Sequence, residues 1–240
     1  VSHLSNGVLL DLIENQRFGV EYQPIVNVKT DEVVAYEALS RFYDALGNPI
    51  RPDLVYSSLH DNPLSLYQVE YAQKCLQLQH MPNADQVFVN LDQDAFYACG
   101  GEVSENPILK AIQRLGKGRV VVELIENSEI SDALMSLSMI ETFSNLGIET
   151  ALDDLCNPKS MLSVAVMQLV EWIKLDKHVL KMQDEVSYMI FVSKIIDFAH
   201  ATGKRVILEG VETERDLVFA KCIGVDFVQG FFYREGFIRF

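Results

Sequence analysis

Short apolar runs that each end in a polar or ionisable residue recur along the chain, with segments of helical apolar spacing between them. Val33–Tyr36 runs into Glu37, Val87–Val89 into Asn90, Val120–Ile125 into Glu126, and Ile148–Leu152 into Asp153 and Asp154. Further on, Trp172–Ile173 ends at Lys174, Arg205–Leu208 at Glu209, and Asp226–Val228 at Gln229. Short apolar runs bounded by turn residues read as buried strands, and strands alternating with helices read as a parallel sheet. Closed parallel barrels collect their functional groups at the carboxyl ends of the strands. The pattern therefore predicts an α/β fold, a (β/α)8 TIM-like barrel whose strand ends converge on one face. The start departs from it: Val20–Val28 is a strand, and only Lys29–Glu32 separate it from Val33. That is too short for a helical crossover, so the first strand is expected to be antiparallel, in a hairpin with the second.

The segments between strands carry helix signals. Val8, Leu9, Leu12 and Ile13 give a short leading helix to about Gln16, and Leu54–Leu59 a short helix inside a long turn-rich connection from Gly47 to Pro63. Leu64–Gln79 is a longer helix, Gln93–Gly101 reads as irregular, and Ile108–Leu115 is opened by Asn106-Pro107 and closed by Gly116. Ser131 is expected to cap a helix over Asp132–Leu146, and Lys159–Leu169 to form the next. Glu185–Thr202 follows, and Thr213 with Asp216 resembles a capping box opening a helix to Ile223, closed by Gly224. A last helix after Phe231–Tyr233 is missing or cut short.

The chain has 240 residues, close to the roughly 250 of one such barrel, and 49% hydrophobic content supplies one large core. One domain spanning 1–240 is the simplest reading, and a start at Val1 suggests a domain excised from a longer protein. The formal net charge of −14 argues against a DNA or RNA polymer held by broad phosphate contacts. The four cysteines show no C-x-x-C spacing, and the five histidines no His-x-x-x-His pair, which disfavours a disulfide framework or a Cys/His zinc site. No apolar run of about 18 residues or secretory leader is present, so a cytoplasmic chain, or a cytoplasmic domain of a longer one, is expected.

Asp153 and Asp154 are adjacent on a strand, where successive side chains point to opposite faces unless the backbone bends. Two neighbouring carboxylates raise each other's pKa unless cations or donors neutralise them. The pair therefore marks either a divalent-metal site or a capped helix start, and the ionisable ends of the other strands favour the metal.

In order and spacing these strand ends resemble the EAL domains that hydrolyse the bacterial second messenger cyclic di-GMP, over nearly the whole chain. Glu37-Ala38-Leu39 is the signature tripeptide; Tyr22-Gln23-Pro24-Ile25 precedes it, and Asn90-Leu91, Glu123-Leu-Ile-Glu126, Asp153-Asp154, Lys174-Leu-Asp176, Glu209-Gly-Val-Glu212 and Gln229-Gly230 follow. The resemblance implies that Glu37, Asn90, Glu126 and Asp153 hold one divalent cation, and that Asp153 and Asp154 hold a second. Oxygen ligands suit Mg2+ or Mn2+, and a two-metal site activates water for in-line attack on a phosphodiester. It further implies that Lys174 supports the transition state, that Glu209 acts as general base or holds a water, and that Arg41 contacts a substrate phosphate. Gln23, Pro24 and Gln229 match nucleotide-pocket positions, and Glu129 the residue that steadies the loop after the acidic pair.

That loop departs from the family. Where active members usually read Asp-Asp-Phe-Gly-Thr-Gly-Tyr-Ser, this chain has Asp153-Asp154-Leu155-Cys156-Asn157-Pro158-Lys159-Ser160. Glycine permits backbone angles that Cys and Pro resist. Two expectations follow: a metal-dependent phosphodiesterase giving linear pGpG, of low or conditional activity, or a non-catalytic module that binds cyclic di-GMP or another protein. The resemblance also implies a homodimer through the face near this loop and attached sensory or cyclase domains.

Overall fold

The structure is a computed structural model that describes residues 4–100, 103–125, 130–159 and 162–240. Strands β1 (Phe18–Asn27) and β2 (Val33–Tyr43) form the expected antiparallel hairpin, with Gln23 opposite Glu37. Beyond the two-residue edge strand β3 (Pro49–Ile50), the chain continues through β4 (Gln86–Asn90), β5 (Val120–Ile125), β6 (Glu149–Leu155), β7 (Trp172–Leu175), β8 (Arg205–Leu208) and β9 (Phe227–Val228). From β2 through β4 to β9 every neighbouring pair is parallel. Strand β9 then pairs antiparallel with β1 and closes the ring. The result is an eight-stranded barrel with its first strand reversed, as the four-residue turn required. A last strand, β10 (Ile238–Arg239), adds antiparallel to the outer part of β1.

Period-two alternation organises the interior. Each of the eight barrel strands sends one apolar residue inward to a common floor: Ile25, Ala35, Phe88, Val121, Ala151, Trp172, Ile207 and the partly buried Phe227. Branched and aromatic side chains fill this layer, which makes the barrel a packed core rather than a pore. Below it, Glu149 Oε2 accepts from Gln86 Nε2 at 2.5 Å, Trp172 Nε1 at 2.8 Å and Arg205 Nη2 at 2.7 Å. The Arg205 guanidinium also lies 3.8 Å from the Trp172 ring centre and helps to seal this end.

The outward residues of the strands pack on the helices in a second, larger apolar shell. Helix α1 (Asn6–Glu14) is capped by Ser5, and α2 (Pro52–Leu59) and α3 (Pro63–Gln79) each begin on a proline, where the missing N–H costs nothing. Residues 93–101, expected to be irregular, instead open with the short helix α4 (Gln93–Ala98), because the Asp92 carboxylate accepts from Ala95 N and caps it. Helix α5 (Pro107–Leu115) starts on Asn106, whose side chain accepts from Ile108 N and Leu109 N. Helix α6 (Ile130–Asn145) starts ahead of Ser131, not after it.

Helix α7 is shorter than its expected Lys159–Leu169 span: it covers Val164–Leu169, with Ser163 as its cap. A one-turn α8 (His178–Lys181) precedes the long α9 (Val186–Ala201). Thr213 and Asp216 do form a reciprocal capping box at α10 (Glu214–Ile223), ended by left-handed Gly224. Where a final helix was missing from the pattern, short 3-10 turns over Phe231–Gly236 lead into β10.

Candidate active site

Two residues beyond the apolar floor, in the direction of the parallel strands' carboxyl ends, every strand places a polar side chain at the next inward position. These are Gln23, Glu37, Asn90, Glu123, Asp153, Lys174, Glu209 and Gln229, two steps from Ile25, Ala35, Phe88, Val121, Ala151, Trp172, Ile207 and Phe227. Lys174 stands at the centre, fully buried. Its Nζ lies 2.7 Å from Glu123 Oε1, 2.7 Å from Glu209 Oε1, 3.1 Å from Asp153 Oδ1 and 3.2 Å from Glu37 Oε2. These are charge contacts without aligned hydrogen bonds, since Nζ and both Glu123 oxygens lack a directed partner. Glu37 is fixed from its other sides, accepting from Asn90 Nδ2 at 2.9 Å and from Gln229 Nε2 at 2.5 Å.

Asp154 joins the cluster through a backbone distortion. The β6–β7 register shifts between Leu152 and Leu155, and Asp154 takes a left-handed φ of 56°. Adjacent carboxylates that would diverge on a regular strand are thereby turned to one side. Oxygens of Asp153, Asp154 and Glu209 all come within 4.8 Å of one another. Glu209 and Gln229 are each followed by a glycine that holds a tight loop. A Cβ on Gly210, at φ +72°, would meet Lys177 Cβ at 2.3 Å, and one on Gly230 would meet Val211 O at 2.2 Å.

Charge is out of balance in this pocket: Glu37, Glu123, Asp153, Asp154 and Glu209 face one ammonium, a formal charge of −4. Burial disfavours every charged form, and the groups respond differently. Burial and the neighbouring Glu37 push Glu123 well above the usual carboxylate range. Burial raises Glu209 to about 8, against the pull of Lys174, and burial with Asp153 beside it raises Asp154 to about 7. Asp153 also moves up, chiefly through burial. For Glu37, burial is outweighed by Lys174 and by the donors on its oxygens, and it stays below its ordinary value. Lys174 is opposed by burial yet held well above normal by the carboxylates around it.

An array of this kind fits divalent cations. The donors are almost all carboxylate or amide oxygens, the excess charge is negative, and buried acceptors on Glu123, Asp153 and Gln229 are left without a hydrogen bond. A second group that could hold an ion, His60, Asp92 and Asp94, is more exposed and lies on the wall of the neighbouring cavity.

That cavity, of about 770 Å³, is lined by residues 38–41 of β2, by Asn90–Asp94, and by Tyr56, His60, Glu70 and Lys74. Such a volume lies within the ~300–1,000 Å³ of small-molecule sites. Asn90 belongs to both the ring and the cavity, and Arg41 extends into the cavity from β2, with Nη1 on Ser40 O at 2.9 Å and Nη2 on Glu21 Oε1 at 2.6 Å. Beneath its floor a buried network holds the β4–α4 turn. Glu70 accepts from Tyr56 OH at 2.8 Å and from Asp92 N at 3.1 Å, with Lys74 Nζ 3.0 Å away.

Most of the expected site residues are therefore brought together: Glu37, Asn90, Asp153, Asp154, Lys174, Glu209, Gln229 and, beside them, Arg41. Gln23 occupies the β1 place in the layer but donates to Glu21 Oε1 at 3.0 Å. Pro24 points to the other side of its strand and lines a separate concavity with Phe231–Gly236 and Glu212. Glu126 and Glu129 lie outside the described residues. Glu123 escapes a reading of strand ends because it sits within an apolar run instead of ending it. The signal that finds it is the alternation itself, which puts Glu123 two residues past the floor residue Val121.

The loop after the acidic pair is built without its glycines. Cys156, where the family's first glycine is expected, is buried and takes φ +71°, and its carbonyl accepts from Tyr188 OH at 2.7 Å. None of the four cysteines is in a disulfide. Among the described residues no helix is long and apolar enough to cross a membrane.

Comparison with known proteins agrees with this fold. The chain is 27% identical over 233 residues to the cyclic di-GMP phosphodiesterase PdeL of Escherichia coli, covering 92% of this chain and 63% of PdeL. It is 26% identical to the probable cyclic di-GMP phosphodiesterase PdeB of the same organism, over 96% of this chain and 46% of PdeB. The chain thus spans less than two thirds of these relatives. Among solved structures, the PaMucR phosphodiesterase in complex with c-di-GMP superposes with a TM-score of 0.80 at 22% identity, covering 94% of each chain. The FimX EAL domain of Pseudomonas aeruginosa, bound to c-di-GMP, gives 0.76 at 18% identity over 96% of this chain and 95% of that one. At these identities the structures speak for the fold alone. The EAL domain model matches residues 7–235, nearly the whole barrel, and the chain belongs to the EAL domain family.

Proposed function

We propose that this chain is a phosphodiesterase dependent on Mg2+ or Mn2+ that opens cyclic di-GMP to linear pGpG. The observation that carries the reading is the layer of four carboxylates around the buried Lys174, with Asp154 turned in beside them, sharing Asn90 with a cavity into which Arg41 extends. Glu37, Asn90, Glu123, Asp153 and Asp154 would hold the cations, with Glu123 rather than Glu126 as the β5 ligand, because Glu123 stands in the layer. When bound, the cations would supply Lewis acidity toward the phosphodiester and lower the pKa of an attacking water.

The protein's own groups do the rest. Arg41 binds the substrate phosphate through two parallel N–H bonds, one to each non-bridging oxygen. The Lys174 ammonium, fixed in a site shut off from solvent, favours the charge that grows on the phosphoryl oxygens. Glu209, whose Oε1 lies 2.7 Å from Lys174 Nζ and whose oxygens reach within 4.8 Å of Asp153 and Asp154, is placed to take a proton from the attacking water once the cations offset the local excess of negative charge. The apolar floor beneath the layer excludes bulk water from below.

A second reading has one specific observation behind it: Cys156 stands at a left-handed position in the loop that follows Asp153 and Asp154. A loop strained there favours a receptor that binds cyclic di-GMP without turning it over. The exposed Leu162 and Phe191 share a concavity with Leu155–Pro158 of this loop and support a homodimer through that face. One experiment separates the readings. The protein is incubated with cyclic di-GMP and Mg2+, Mn2+ or chelator, pGpG is followed by chromatography, and nucleotide binding is measured on the same preparation. Metal-dependent pGpG establishes the enzyme, and binding without product under any metal establishes the receptor.

A further inference from the structure

Glu21 is a buried carboxylate outside the layer, and none of the roles assigned above uses it. It faces two guanidinium groups. Its Oε1 accepts from Arg41 Nη2 at 2.6 Å and from Gln23 Nε2 at 3.0 Å, while its Oε2 accepts from Arg239 Nε at 2.5 Å. Arg239 comes from β10, which pairs with β1 so that Arg239 lies directly opposite Glu21. The strand is seated by design of the sequence around it. Phe240 exchanges backbone hydrogen bonds with Val20, and its ring stacks 4.8 Å from His80. Gly19 leaves the room: a Cβ there would meet Phe240 O at 2.9 Å and Tyr43 Cε2 at 3.0 Å.

We propose that Glu21 and Arg239 are positioning residues for Arg41, Glu21 fixing the guanidinium toward the substrate phosphate and Arg239 cancelling the charge that Glu21 would otherwise set against that phosphate. The inference rests on the reading of Arg41 as the phosphate contact. A guanidinium carries five N–H donors. Ser40 O and Glu21 take one each, so the plane of the group is set and three donors remain for an anion. Orientation of this kind lowers the rotamer entropy lost on binding. Glu21 alone would pair with Arg41 as a neutral couple, and an anionic ligand would meet no net attraction. With Arg239 on the second oxygen the three groups carry one net positive charge. The donors outweigh the effect of burial and keep the Glu21 carboxyl below its ordinary range, so this charge count holds at neutral pH.

Binding of cyclic di-GMP to the full chain in chelator is the test, with melting temperature read in parallel. Arg239→Gln is expected to weaken binding about fivefold, the size of one screened unit charge at this range, and Arg239→Lys to stay within about twofold of the parent. Adding Glu21→Gln to Arg239→Gln removes the uncancelled carboxylate and is expected to recover most of the lost affinity, although it deletes a further contact. A purely structural role predicts the opposite order, with the double variant weakest. The inference is overturned if Arg239→Gln binds like the parent, or if the double variant binds no tighter than Arg239→Gln. Should the parent fail to bind, or Arg41→Ala bind as well as the parent, the phosphate reading of Arg41 fails, and the inference with it.

Discussion

Lys174→Met replaces the ammonium at the centre of the site with an apolar chain of similar length. In the parent, one cation lies within 3.2 Å of four carboxylates and is itself fully buried. Removing one partner of a buried ion contact, and so leaving the other charge uncompensated, typically costs about 3–5 kcal/mol. That is a large share of the ~5–15 kcal/mol that holds an ordinary domain together. The carboxylates can soften the loss by taking up protons, so the deficit should grow as pH rises. Urea unfolding at pH 6 and pH 8.5, each in chelator and in excess Mn2+, reads both effects. The expected outcome is a loss of about 3 kcal/mol at the higher pH in chelator, a smaller loss at pH 6, and recovery with Mn2+, whose charge can stand in for the ammonium. A variant within about 1 kcal/mol of the parent at pH 8.5 without metal would refute the account. It would mean that the site does not depend on Lys174 to hold its negative charges together.

The parent should show a milder form of the same pH dependence in chelator. Glu209, raised to about 8, and Asp154, raised to about 7, hold protons in the folded protein that the unfolded chain releases near pH 4. Their contribution is fully present below the unfolded values and is lost as pH climbs through the folded ones. The urea midpoint should therefore fall between about pH 5 and pH 8 and become flatter when Mn2+ is added. Glu123→Gln should lower metal-dependent turnover at least about a hundredfold by removing a ligand oxygen and its charge, as measured by pGpG release over a range of Mn2+ concentrations. Glu126→Gln should cost clearly less; equal losses would remove the case for Glu123 as the β5 ligand. At the divergent loop, Cys156→Gly gives up a small buried thiol but relieves a left-handed position. Cys156→Val adds a β-branched side chain at the same φ, and thermal or urea melts should place it about 2 kcal/mol below the glycine variant.

Much of the barrel was legible because a strand that ends in a functional group leaves the same trace each time it recurs. The reversed first strand followed from a connection of four residues, which excludes a crossover. What escaped was set by tertiary context. Residues 93–98 lack a strong apolar period, and the helix there depends on Asp92 as a cap. Strand β10 is two residues long and exists only because β1 offers an edge and Gly19 leaves room. Pro24 lies one residue from Gln23 and so faces the other way, which a motif read as a block conceals. The same parity explains Glu123: reading the ends of apolar runs favours Glu126, while counting two from the floor selects Glu123.

Parity also accounts for why the acidic pair needs its irregular loop. Seven strands deliver one side chain each to the layer, and a regular β6 would deliver Asp153 alone, turning Asp154 away. The left-handed turn at Asp154 brings in a second carboxylate from the same strand, and Cys156 repeats that conformation two residues later. In a site built from alternation, a second ligand from one strand requires such a break, so the backbone cost falls on the segment whose carboxylates would hold the proposed cations. The chemistry of the loop after Asp154 therefore bears directly on how firmly both carboxylates are held. A barrel can keep every layer residue in place and still differ from its relatives in turnover through this loop alone.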